Sequence, residues 1–551
     1  MTPPLGSARP ASLCRVSRPT EASFRVLRPD PGTDEKTCPK RHNQEKPLAS
    51  QEQGTKRPRN RGIMMSERDP DERYDAVIIG AGMAGCATAQ AMALADSTSA
   101  RRILLIDRHR GVSPRFAGEY IHPRGAQVLE DLDFYGPLKD AGAVDVDGFT
   151  VLERADGRLV KLPYAAIPNT RPHGLAVHHK TLVRVMRRVV RESPQIELCE
   201  GWVLQDVLRD DRGMVCGAQL RDARDKTKIR TVHTSLLIGA DGKASAVRKL
   251  IGLPDERQTI GFTVGIELRD AAVDSKNFAN VILGAWGPVL VYPIAHEPDG
   301  SLLFRMTIDL PHALPAKGAR LVDFLYDAFI PFLPFELAEQ ATSAILARKG
   351  HLEMAPTVNL PAPRAIAPGI ALVGDAAGCS HPITASGMTM GLRDAETLGI
   401  EAKRRADADR HEPWLNTASL RRYRNEHDRY VPTRQALADA IYEAFRGGNE
   451  GARAIQRALF EYWMSGPEAR RRSMALLSCS EGRPSVFLSE YLKTAGHAVS
   501  CCLVPRHAQH YPVRDRFRQV RGAVGMASAK LGLVADVMWA QLRPAWLPRT
   551  R

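Results

Sequence analysis

The stretch Ala76-Val-Ile-Ile-Gly80-Ala-Gly82-Met-Ala-Gly85 decides the fold. The apolar run at residues 74–79 reads as a strand, and the alanine-rich run after the glycines reads as a helix to about residue 94. Between them, the first two glycines permit a tight turn and close approach of a pyrophosphate, while the third lets helix and strand pack closely. The helix N-terminus adds unpaired N–H groups and a positive dipole end. A second strand at residues 103–106 leads into Asp107, at the distance where an acid accepts a hydrogen bond from an adenosine ribose. The expectation is a Rossmann-like α/β domain holding a dinucleotide at Gly80, Gly82, Gly85 and Asp107.

Outward from this unit, residues 1–72 are rich in Pro, Arg, Ser, Thr and Gln without hydrophobic period, a composition that reads as a disordered extension. Met64 and Met65 leave open whether residues 1–63 belong to the native protein. Residues 203–208 and 216–220 read as a hairpin about the turn 211–213, and short strands near 262–268 and 281–294 as an antiparallel layer roofing a substrate cavity. Residues 433–500 read as helices. The expected division is therefore 1–72, then 73–432 with dinucleotide-binding and substrate parts interleaved, then 433–551 as a helical segment.

The formal charge of +15 lies at the ends: residues 1–62 carry 13 Lys/Arg against 6 Asp/Glu, and residues 501–551 carry 9 against 2. A near-neutral body argues against nucleic acid; the tails are either solvated or in contact with anionic lipid. Nine cysteines, odd in number and without a CxxC pair, read as reduced cytoplasmic thiols with no metal site. No stretch reaches the roughly 18 apolar residues of a spanning helix, so a membrane contact would be peripheral or monotopic.

Which dinucleotide binds is decided by Gly369-Ile-Ala-Leu-Val-Gly374-Asp375 and Leu237-Ile-Gly239-Ala-Asp241-Gly242, which resemble fingerprints of flavoprotein hydroxylases. There such an aspartate contacts the ribityl–phosphate part of FAD, and a helix starting near Gly387 turns its positive end to the flavin. Arg115-Phe-Ala-Gly118-Glu119-Tyr-Ile-His-Pro123 and His381-Pro-Ile-Thr-Ala-Ser-Gly387-Met388-Thr389 further resemble the squalene epoxidase family. Its C-terminal helices resemble Ala458 to Ser478, and the resemblance implies that 73–432 is the FAD-binding part and that 433–551 is membrane-associated, attached monotopically. The resemblance spans about residues 74–500 and implies FAD contacts from Met83, Ala84, Asp107, Arg108, Arg115 and Tyr120, and from Arg187, Val203, Asp375 and Met388. Asp241, Gly374 and Gly387 join them through their motifs. Arg187 lies in an arginine-dense helix and reads equally as part of a solvated face.

Two positions depart from the family. His122 stands where it has Gln, and Phe149 where it has a Tyr bonded to that Gln; these two are the candidate catalytic positions. Phe cannot donate a hydrogen bond, so the arrangement here must differ. The reaction implied is epoxidation of an apolar polyene such as squalene or a related isoprenoid, through a flavin hydroperoxide formed from molecular oxygen. Electrons come from NAD(P)H directly or through a separate reductase. Two alternatives stay open: an FAD-dependent ring hydroxylase of a quinone precursor or polyketide aromatic, which requires a base, with His122 or His381 as candidates, and a non-oxygenating flavoprotein.

Overall fold

The computed structural model describes residues 72–503 apart from 114–117, 154–156, 254–255, 285, 315, 317–318, 348–351, 362–364 and 410–411, and describes only the backbone within 498–503. Strand β1 (Ala76–Ile79) is buried along its whole length, as expected of a parallel strand covered on both faces. Helix α1 (Met83–Ala95) follows, and β2 (Ile103–Asp107) returns parallel to β1. On the other side β1 pairs in parallel with Leu237–Gly239, which pairs with Ile370–Leu372. Ile196–Glu200 extends the sheet beyond β2 and Ile366–Ala367 closes its far edge, making six strands. All three glycine-bearing motifs thus end on neighbouring strands of one sheet.

Against α1 lies the helix Gly387–Lys403. Small residues let the two approach: a Cβ on Gly399 would come 2.9 Å from Ala91 Cβ, and one on Gly391 3.4 Å from Ala84 Cβ. Trp202–Arg209 and Val215–Asp222 form the expected hairpin, with Ile229–His233 as its third strand.

The layer expected to roof a substrate is a seven-stranded sheet in the order Glu353–Asn359, Gln258–Arg269, Leu302–Pro311, Pro288–His296, Phe278–Leu283, Gly148–Glu153, Arg158–Pro163. All its pairs are antiparallel except Phe278–Leu283 with Gly148–Glu153. One apolar cluster, including Ile266, Phe304 and Ile308, packs with residues of the helices Ala319–Ala328 and Phe335–Ala347. A second, including Phe149, Val151, Val281 and Tyr292, packs with Tyr120, Tyr164, Phe445, Phe460 and Trp463.

The C-terminal helices are Thr417–Arg446, Glu450–Met464, Pro467–Leu477 and Pro484–Leu503. The boundary expected after residue 432 falls inside the first of them. Pro432 removes one helical hydrogen bond and crowds the preceding turn, yet Tyr430, Val431, Thr433 and Arg434 around it are all buried, and packing carries the helix through. No helix among the described residues is long and apolar enough to cross a membrane. The expected extension 1–72, except its last residue, and the basic tail beyond 503 lie outside the described residues.

Candidate flavin and substrate site

The turn between β1 and α1 is built by steric necessity. Gly80 has φ +105°, and a Cβ there would lie 2.5 Å from Ala240 O; a Cβ on Gly85 would lie 1.8 Å from Gly80 O. Around Gly82, by contrast, a Cβ would meet nothing within 4 Å. Gly82 is also the N-cap of α1 and offers no side-chain cap, so the positive end of the helix faces open space, as an anion cradle requires.

Asp107 accepts from Ala81 N at 3.0 Å and His109 N at 2.8 Å, and pairs with Arg187 Nη2 at 2.8 Å. Arg187 is only 4% exposed. Its Nε donates to Ala81 O (2.8 Å), and its Nη1 to Gly111 O (2.9 Å) and Glu200 (2.7 Å). It is therefore a clamp on the glycine turn rather than part of a solvated face. Val203 follows Gly201, whose N–H donates to Asp107 O at 2.7 Å, and Arg108 is exposed beside it. Arg115 lies outside the described residues.

The second half of the cradle comes from the turn at Gly374, with φ +59°, where a Cβ would lie 3.0 Å from Ala84 Cβ. Asp375 is exposed, and a Cβ on Gly387 would lie 4.0 Å from its Oδ1. Met83, Ala84, Gly374 and Gly391 therefore converge, and Met388 lies against Gly118. The Gly387–Lys403 helix, like α1, lacks a side-chain N-cap bond. Asp241 accepts from Ala246 N (2.6 Å) and Val247 N (3.2 Å) through Oδ2, while its buried Oδ1 has no partner among the described residues; burial raises its pKa. Two uncapped helix ends, open space at Gly82 and an orphan acceptor fit FAD, whose phosphates and hydroxyls supply the matching groups.

At the substrate end the rings of Tyr120, His122, Phe149 and Tyr164 meet. Phe149 lies 5.4 Å from Tyr120, 5.9 Å from His122 and 6.4 Å from Tyr164 between ring centroids, and Tyr292 lies 5.8 Å from Tyr120. His122 Nε2 is 2.7 Å from the carbonyl of Thr384, and its Nδ1 is 2.7 Å from the Tyr164 hydroxyl. A carbonyl only accepts, so Nε2 carries the proton and Tyr164 donates to Nδ1. Tyr120 donates to Gly148 O at 3.0 Å. Burial pushes His122 down to about 4 and raises Tyr120 and Tyr164 above the usual phenol range. His381 is buried too: its Nδ1 caps Ile383 N at 3.1 Å, its ring stacks on Tyr442, and its Nε2 lies 3.3 Å from Asp309 without a hydrogen bond.

The residues preceding Tyr120 are anchored by a buried ion pair. Glu119 and Arg305, each 2% exposed, share two bonds of 2.9 Å, and Arg305 also reaches Glu267 (3.1 Å) and Glu353 (2.9 Å). This pair joins the Glu119–Tyr120 stretch to three strands of the substrate sheet.

Residues 78–141 match a model of NAD(P)-binding Rossmann-like domains. Residues 233–514, more than half of the chain, match the squalene epoxidase model. The chain belongs to the squalene epoxidase family. Squalene monooxygenase of Mus musculus is 27% identical over 430 residues, covering 78% of this chain and 72% of that protein. Squalene epoxidase of Saccharomyces cerevisiae is 26% identical over 440 residues, covering 74% and 84%. Among solved structures, p-nitrophenol 4-monooxygenase of Pseudomonas putida is 20% identical, with TM-score 0.60 over 74% of this chain and 99% of that one, a likeness of fold. The chain is an FAD-dependent monooxygenase.

Within this family reading, the residues that sequence reasoning missed are Tyr164 and the Glu119–Arg305 pair. A hydroxyl does meet position 122, from Tyr164 rather than from position 149. A buried tyrosine needs a partner, but nothing local in residues 158–170 points to His122.

Proposed function

We propose that the enzyme epoxidises an apolar polyene, squalene or a related isoprenoid, using O2 and electrons delivered by NAD(P)H directly or through a separate reductase. His122 is the observation that carries this reading: both its nitrogens are committed and burial keeps it neutral, in a wall otherwise made of aromatic rings. Hydroxylating a phenol calls for a base near the ring hydroxyl; an alkene attacking electrophilic oxygen does not.

FAD, when bound, supplies the activated oxygen. Gly80, Gly82, Met83, Ala84 and Gly85 would receive its pyrophosphate, Asp107 its ribose, and Asp241, Gly374, Asp375, Gly387 and Met388 the remainder. Tyr120, Phe149 and Tyr164 exclude water from the reacting face. His122, bonded to Thr384 just before the Gly387 helix, holds the substrate wall in register with the flavin segment. The names of the relatives support squalene as substrate, and a basic tail beyond residue 503 supports peripheral membrane contact from the cytoplasmic side.

Mass spectrometry under isotopically labelled dioxygen tests the reading, with squalene, shorter polyprenyl chains and phenols offered to the reduced enzyme. One labelled oxygen in a polyene product is expected. Label found only in phenols would overturn it.

A further inference from the structure

Behind the turn that carries Asp375 lies a buried polar cluster with no place in the function described so far. Asp394, on the Gly387–Lys403 helix, is 1% exposed. Its Oδ2 accepts the Gly374 N–H at 2.8 Å, and its Oδ1 accepts the Tyr430 hydroxyl at 2.5 Å and His427 Nδ1 at 2.8 Å. Since a carboxylate only accepts, Nδ1 carries the proton. His427 is 2% exposed, and its Nε2 has no partner among the described residues. Its ring lines an enclosed cavity of about 10 Å³, bounded also by Gly374, Gly378, Ser380, Gly387 and Gln435, which has room for about one water. Burial disfavours the charged ring, but the Asp394 carboxylate outweighs it and raises the pKa of His427.

We propose that Asp394 and His427 are a positioning couple for the flavin-contacting turn at Gly374 and Asp375, Asp394 holding the turn through the Gly374 N–H and His427 holding Asp394. Neither is among the residues that would hold FAD in the reading above. The inference rests on the FAD reading above. Without His427, the Oδ1 of Asp394 keeps only the Tyr430 hydroxyl, and the hold of the carboxylate on the Gly374 N–H loosens.

Two substitutions separate the two ring nitrogens. The amide nitrogen of asparagine takes the place of Nδ1, and that of glutamine the place of Nε2. His427→Asn should keep FAD affinity within about threefold of wild type, while His427→Gln and Asp394→Asn should weaken it about tenfold or more, the worth of a hydrogen bond to a charged group. Measured alongside are the visible flavin spectrum, which should broaden in the two weak variants, and the melting temperature of the apoprotein, which should stay above the assay temperature in both histidine variants. Should Asp394→Asn fail to fold, the two histidine variants decide alone, because both retain the Asp394 carboxylate. Equal FAD affinity in the two histidine variants overturns the couple while leaving the FAD reading intact. A wild type that binds no FAD overturns both.

Discussion

At the scale of single residues, Gly82 and Gly85 make opposite predictions although both belong to one motif. Gly82→Trp places a ring where the described residues leave nothing within 4 Å, so the apoprotein should melt as wild type does while visible flavin absorption is lost from the purified protein. Gly85→Ala drives a Cβ into Gly80 O and should lower the melting temperature itself. His122 makes a third. An unfolded ring titrates near 6.5, whereas burial holds the folded one at about 4. As pH falls, the unfolded chain takes up the proton first, so stability drops across that window by up to about 3 kcal/mol. Urea titrations of wild type and His122→Gln should converge as pH falls from 6.5 towards 4; a constant gap would mean the ring is not buried neutral. His122→Gln combined with Tyr164→Phe should be non-additive on turnover by about 0.5–3 kcal/mol, as for groups sharing one bond, and strict additivity would break the proposed link.

At the scale of elements, the Glu119–Arg305 pair fastens the segment beside the flavin to the substrate sheet. Arg305→Met strands a buried carboxylate and should cost about 3–5 kcal/mol in denaturant unfolding. Adding Glu119→Gln removes the stranded charge and should recover part of that loss; no recovery would place the cost in packing instead. Element by element, β1, α1, β2 and the hairpin about residues 211–213 were legible because each is set by local periodicity and turn glycines. The helix Thr417–Arg446 was not, since Pro432 reads locally as a stop while its neighbours are held by contacts remote in sequence.

At the scale of the whole molecule, the membrane contact proposed above is tested on the basic tail, since no helix among the described residues is long and apolar enough to cross a membrane. Arg514, Arg516, Arg518 and Arg521 would each contribute roughly 1 kcal/mol near an anionic surface. Removing residues 504–551 should leave the protein in the supernatant after centrifugation with anionic vesicles, while the full chain pellets; equal pelleting would put the contact elsewhere. The sequence by itself determined the dinucleotide fold and its three glycine-bearing segments, because a βα turn, a helix start and a strand-end acid are local patterns with their own spacing. Only the tertiary structure decided that Arg187 clamps the glycine turn, that Asp394 lies behind Gly374, and that the hydroxyl bonded to His122 comes from Tyr164 rather than from position 149. Those partners lie 106, 20 and 42 residues apart, and a hydrogen bond closed by folding leaves no period in the chain from which to read it.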